Sequence, residues 1–189
     1  MKGINELKIK YGFPKEIPTK KPDYHGWFKS ANSALLRMIL TKNTKVVVEL
    51  GSLFGLSARN MHKFAPNATI ICIDTWKGNP GWIDCPYFDD LDMYKTFLSS
   101  CWDFQDRIIP MKEDSQKGMK ILSELGIKPD LIYIDASHEY QDVVDDIVTA
   151  KELFPNAFIC GDDYLKPDVL KAVNENGNYN ATDNFWWYQ

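Results

Sequence analysis

The sequence predicts an α/β fold: an open, mostly parallel twisted sheet with helices on both faces, an N-terminal helix and an antiparallel C-terminal strand. Three observations predict it. Short apolar, β-branched runs such as Val46–Leu50 and Thr69–Ile73 recur along the chain and stop at Gly or Asp. Stretches with helical spacing separate them. The runs are apolar at successive positions, as strands buried on both faces of a parallel sheet must be. The 189 residues suit one domain. With 44% hydrophobic and 25% charged residues, a disordered chain is excluded.

Residues 1–22 are Lys-rich and broken by Gly12, Pro14 and Pro18, and read as an irregular N-terminal arm. The single domain is expected over 23–189. Residues 26–40 carry apolar side chains at Trp27, Phe28, Ala31, Leu35, Leu36 and Ile39 and read as a helix. The strand at 45–50 ends on Gly51. A helix at 56–64 stops at Pro66 and Asn67, and the strand at 69–73 ends on Asp74. Residues 75–90, rich in Gly, Pro and aromatics, read as a long loop, and a helix follows at 90–102. Then come a short strand at 107–110, a helix at 115–125 closed by Gly126, and a strand at 131–134 before Asp135. The helix at 139–153 is closed by Pro155, and the strand at 157–160 runs into Gly161-Asp162-Asp163. Pro167 opens a helix to residue 174, where proline suits the first turn. Residues 178–188 read as one or two strands. In that aromatic tail Trp186 and Trp187 point to opposite faces, so one packs on a helix.

The charge balance, 22 − 26 = −4, opposes nucleic acid as the main partner. The cysteines, Cys72, Cys85, Cys101 and Cys160, form no C-x-x-C pair, so neither a zinc knuckle nor a disulfide framework is expected, and a reducing, cytoplasmic compartment is. Residues 1–21 lack the apolar core of a secretory signal, and no run of 18 apolar residues exists to span a membrane.

In open α/β sheets, ligands bind beyond the carboxyl ends of the strands. Glu49, Asp74, Asp135, Asp162 and Asp163 all fall at those ends. Five acids at one sheet edge repel one another unless cations or donors sit among them. The first strand runs through Glu49-Leu-Gly51-Ser-Leu-Phe-Gly55-Leu-Ser57 into a helix. This spacing is neither the dinucleotide fingerprint nor a P-loop. An acid before the turn favours a nucleoside with a cationic or zwitterionic tail over a phosphate; a plain strand–helix turn fits the glycines equally. Asp74 stands where an acid accepts ribose hydroxyls. Asp114-Ser115 either caps the next helix or holds a base. The acids of 139–153 read as a solvated face.

The segments VVVELGSLFGLSARNM (46–61), ICIDTWKG (71–78), DLIYIDASHEYQDVVDDI (130–147), ICGDDY (159–164) and PDVLKAVNE (167–175) together resemble class I S-adenosylmethionine-dependent methyltransferases, and within them the methyltransferase domain 24 family. The resemblance spans about 27–175 and implies a Rossmann-like fold and S-adenosylmethionine as cofactor. It implies that Glu49, Gly51 and Gly55 line the methionine end, Asp74 holds the ribose, and Asp114 and Ser115 flank the adenine. Ser52, Ser57, Thr75, Trp76 and Asp135 complete the expected cofactor set. Asn156-Ala157 replaces the family's usual Gly-Gly before the fifth strand.

Asp135, Asp162 and Asp163 end adjacent strands and form a candidate oxygen-only site for Mg²⁺, with Mn²⁺ or Ca²⁺ as substitutes. That set resembles the metal triad of sugar and catechol O-methyltransferases, where the ion binds vicinal hydroxyls. Those relatives place a basic or acidic residue two or three positions after the first metal acid; here Ser137 and His138 stand there. His138, with Asp135, is therefore the candidate catalytic pair, unless His138 only caps the next helix. The acceptor is expected to be a saccharide or other small hydroxylated molecule, contacted by His138, Tyr164 and Trp82, beneath a lid formed by 76–90. A homo-oligomer is the expected assembly. A hydroxylase-type enzyme on the same fold, or a non-catalytic module of a biosynthetic complex, are the competing readings. His25 and His62 read as surface or packing residues.

Overall fold

Along each parallel strand, successive residues feed alternate layers, and that alternation builds the molecule. The structure, a computed structural model, describes residues 2–78 and 92–188. Its elements are α1 (Lys2–Tyr11), α2 (Ser30–Ile39), β1 (Val46–Leu50), α3 (Leu56–Phe64), β2 (Thr69–Asp74), α4 (Met93–Ser100), a 3-10 turn (Trp102–Phe104), β3 (Ile108–Lys112), α5 (Ser115–Glu124), β4 (Leu131–Ile134), α6 (Tyr140–Leu153), β5 (Phe158–Gly161), α7 (Pro167–Glu175), β6 (Tyr179–Thr182) and β7 (Phe185–Tyr188). Seven strands form one sheet in the order β3-β2-β1-β4-β5-β7-β6. The first five are mutually parallel; β7 runs antiparallel between β5 and β6.

Val47, Ile70, Cys72, Ile108 and Tyr133 enter one layer with α2, α3 and α4. Their neighbours Val48, Ile71, Ile73, Ile109, Ile132 and Ile134 enter the other with α1, α5, α6 and α7. The tail obeys the same rule. Trp186 is fully buried in the second layer with Tyr188, whereas Phe185 and Trp187 face the first. A Cβ on Gly161 would lie 2.4 Å from the Trp186 ring, so glycine makes room for the indole, whose Nε1 donates to Asp162 O at 2.9 Å. Burying such a side chain contributes about 3 kcal/mol, and it fixes the strand end that carries Asp162 and Asp163.

Two N-terminal expectations are corrected. The arm is helical over Lys2–Tyr11, because the breakers Gly12, Pro14 and Pro18 come only after it and Ile4, Leu7 and Tyr11 share one face on the core. The helix expected from residue 26 starts at Ser30: Lys29 is extended, and Gly26 presses so closely on Leu56 that a Cβ would lie 2.9 Å from it. Trp27 is 56% exposed, so its place in the apolar spacing reflected no buried helix face. Among the described residues no helix is long and apolar enough to cross a membrane.

Candidate functional site

The strand register brings Leu50, Ile73, Ile134 and Gly161 level at one edge of the sheet. Just beyond it opens a cavity of about 540 Å³. Among the described residues, eight carboxylates line it, from Asp74, Glu113, Asp114, Asp135, Asp142, Asp146, Asp162 and Asp163, against two lysines, Lys29 and Lys166. Such a site favours a cationic ligand and disfavours a polyanion.

Beneath the β1–β2 half lies Glu49, fully buried, with the hydroxyls of Ser52 and Ser57 donating to its two oxygens. Burial pushes its carboxyl up to about 7 against those two hydrogen bonds. Asp74 ends β2 and gathers the backbone around itself. Its Oδ2 accepts from Ser52 N at 2.8 Å and Leu53 N at 3.0 Å, and its Oδ1 from Trp76 N at 2.6 Å. Burial still raises its pKa, opposed by those N–H groups. The Thr75 backbone N–H is a fourth donor lowering it, so the turn alone supplies about as many donors as a carboxylate accepts. Leu53 and Trp76 are held at positive φ, and Trp76 Nε1 closes the turn by donating to Leu53 O at 2.7 Å. Both strained residues stand on the cavity wall. Gly51 (φ +82°) is the seam with the other half: a Cβ there would sit 2.1 Å from the carbonyl oxygen of Asp135.

The β4–β5 half is built differently. The half-buried Asp135 has its pKa raised well above the ordinary value by burial and by the charges of Asp162 and Asp163. Asp163, at φ +59°, turns its carboxylate into a cluster of donors. Oδ2 meets His138 Nε2 at 2.7 Å and Lys166 Nζ at 2.8 Å, and Oδ1 accepts from Asn184 Nδ2 at 2.9 Å. Burial alone would raise the Asp163 carboxyl, but the bonds from His138, Lys166 and Asn184 outweigh it and hold it well below the usual range. Lys166 Nζ also lies 2.9 Å from His138 Nδ1. An ammonium only donates, so Nδ1 is the acceptor and the ring proton sits on Nε2, facing Asp163.

Of the residues expected at the cofactor, Gly51, Ser52, Ser57, Asp74, Thr75, Trp76, Asp114, Ser115 and Asp135 line the cavity. Glu49 lies under its floor, and Gly55 packs against α4 instead: a Cβ there would lie 2.3 Å from Cys101 Sγ. Asp114 caps α5, accepting from Gln116 N and Lys117 N, while facing the cavity. For the metal set, the residues brought within 4.8 Å of one another are Asp135, His138 and Asp163. Asp162 Oδ1 is instead taken by the Asn184 side chain and Asp163 N. Two carboxylates and an imidazole at that spacing fit a divalent ion. Tyr164 turns away from the cavity and pairs its hydroxyl with that of Tyr179 at 2.9 Å. Trp82 and most of the expected lid lie outside the described residues.

Two contributors escaped the sequence reading. Asp146, assigned to a solvated face, is buried, lines the cavity and accepts from Gln116 Nε2 at 2.6 Å. Burial, then the charge of Asp114, pushes its carboxyl up to about 8. Its place on the stripe Val143, Asp146, Ile147, Ala150 was the available signal. Residues His25 to Lys29, outside any helix or strand, form a second wall, with His25 edge-on to Trp27 at 5.0 Å.

The fold is one shared with solved O-methyltransferases, among them one in complex with S-adenosylmethionine. The chain belongs to the methyltransferase domain family, subgroup 24, whose model matches residues 48–164. Similar solved structures include the O-methyltransferase TomG from Streptomyces achromogenes, in complex with S-adenosylmethionine (TM-score 0.64, 14% identity, covering 88% of this chain and 81% of that one). The calicheamicin methyltransferase CalS11 aligns with TM-score 0.56 and 13% identity over 85% of this chain and 81% of its own; it is a TDP-rhamnose 3'-O-methyltransferase. MycE of the mycinamycin pathway, in complex with Mg, S-adenosylhomocysteine and mycinamycin VI, aligns with TM-score 0.55 and 16% identity over 98% of this chain and 53% of its own. No protein of curated function matches the sequence.

Proposed function

We propose that this protein transfers a methyl group from S-adenosylmethionine to a hydroxyl of a saccharide or other small polyol, assisted by a divalent ion. The observation that carries this reading is the division of the acid-lined cavity into two halves, one of fixed acceptors around Asp74 and one of Asp135, His138 and Asp163. S-adenosylmethionine bound in the first half would supply an electrophilic methyl group. Its ribose hydroxyls would lie against Asp74, which lines the cavity, and its positive charges would lie among Asp135 and the other carboxylates. Gln116 and Asp146 support the wall where the base would lie. Asp135 and Asp163 would hold the ion, which lowers the pKa of a hydroxyl it touches. His138 is the proton acceptor, through Nδ1, because Nε2 already carries a proton directed at Asp163. Positioning of the hydroxyl in line with the methyl group supplies most of the remaining acceleration. A small acceptor suits the cavity's volume, and the carboxylates oppose nucleic acid. A magnesium-bound neighbour and a sugar-modifying one of the same fold support the ion and the acceptor class.

The test is a turnover assay with methyl-labelled S-adenosylmethionine, Mg²⁺ and a panel of monosaccharides, nucleotide sugars and catechols. Label is expected in a polyol, and His138→Ala should lower turnover by roughly 10²–10⁴-fold with unchanged affinity for S-adenosylhomocysteine. Cofactor binding without transfer to any hydroxyl would overturn the acceptor assignment.

A further inference from the structure

We propose that Lys166 is a resident cation that occupies the divalent-ion position, so that ion and ammonium exclude one another and Lys166 sets the protein's metal affinity. The proposal rests on the reading of Asp135 and Asp163 as the ion's holders. Lys166 is the N-cap residue of α7, and its backbone N–H donates to Asp163 O at 2.8 Å, closing a turn that fixes the two residues together. From that turn the ammonium reaches over Asp163 Oδ2 (2.8 Å) and stands against His138 Nδ1 (2.9 Å). It thus holds the two faces of the site that an incoming ion and a substrate proton would need.

Counting acceptors sharpens the conflict. Asp163 receives His138, Lys166 and Asn184, three donors for about four sites. An ion that draws on Oδ2 has to take the place of one of them. Asn184 is buried and tied to both Asp162 and Asp163. His138 is confined on the loop after β4. Lys166 is the group free to leave: its side chain is 45% exposed, against 18% for Asp163, and it sits on a flexible four-carbon stem. Two positive charges a few ångströms apart repel strongly even at the effective dielectric of a protein surface, so the ion expels the ammonium rather than joining it. The same departure uncovers His138 Nδ1. Ion arrival and exposure of the proton acceptor are therefore one event, and without the ion the base stays covered.

The test is titration of Mn²⁺ into the full chain, followed by the paramagnetic signal of free Mn²⁺. Wild type should bind weakly. Lys166→Met should bind at least tenfold tighter, Lys166→Arg should stay within about threefold of wild type, and Asp163→Asn should abolish binding in either background. Equal or weaker binding by Lys166→Met overturns the proposal. S-adenosylhomocysteine titrated into the same samples reports separately on the cofactor assignment and on the integrity of the variants. A second measurement needs no variant: saturating Mg²⁺ should raise acylation of Lys166 by an amine-reactive reagent severalfold, read by peptide mass spectrometry. Unchanged labelling with Mg²⁺ bound also overturns the proposal.

Discussion

The two halves of the cavity solve one problem, crowded carboxylates, in opposite ways. Around Glu49 and Asp74 the donors are backbone N–H groups and serine hydroxyls that belong to the turn itself. Around Asp163, and beside Asp135, they are the ends of side chains, His138, Lys166 and Asn184. The first arrangement is preorganised and does not exchange. The second is charge-balanced by groups that can be replaced. The contrast teaches that crowded carboxylates can be held either by donors built into the backbone or by counter-ions on movable arms.

The largest expected effect comes from breaking the seam between them. Gly51→Ala puts a Cβ against the Asp135 carbonyl at a positive φ, and should cost about 3 kcal/mol or more. A thermal melt should fall by roughly 10 °C, and S-adenosylhomocysteine binding should be lost. Next is the fixed half. Asp74→Asn removes the charge that gathers four backbone donors and should weaken cofactor binding by roughly 30–100-fold, about 2–3 kcal/mol, in a calorimetric titration. The movable half should respond differently: Asp163→Asn leaves cofactor affinity within about threefold of wild type and abolishes Mn²⁺ binding.

The smallest effect is a pH dependence of stability. Glu49 carries a folded-state pKa of about 7, raised from 4.5 by burial. Between those values the folded protein keeps a proton that the unfolded chain releases, so stability falls as pH rises through that window. Glu49→Gln should therefore gain several degrees over wild type at pH 8 and nothing at pH 4. Asp146→Asn should behave likewise over a window reaching about 8.

What was legible in the sequence follows from period and position. The strands β1, β2, β4 and β5 and the acids at or just after their ends were readable because an apolar run that stops at Asp or Gly has few alternatives in a parallel sheet. Asp74, Thr75, Trp76, Asp114 and Ser115, expected at the cofactor, all line the cavity, the last two having been expected there from the family resemblance. Side-chain direction was not readable. Glu49 points down into two serines, Gly55 turns to Cys101, and Tyr164 swings to Tyr179, all within one or two residues of cavity-lining positions. Long-range partners were equally hidden: Asn184 arrives from the turn before β7, and Lys166 from the helix after β5. The segment 26–29 imitated a helix because the spacing of Trp27 and Phe28 matched one, while its residues line the cavity wall.

The most direct test of the central claim is isothermal titration of S-adenosylhomocysteine into the wild-type chain and Asp74→Asn. One site per chain of micromolar affinity is expected, weakened at least tenfold by the substitution. Absence of binding to the wild type, or equal binding by both proteins, would contradict it.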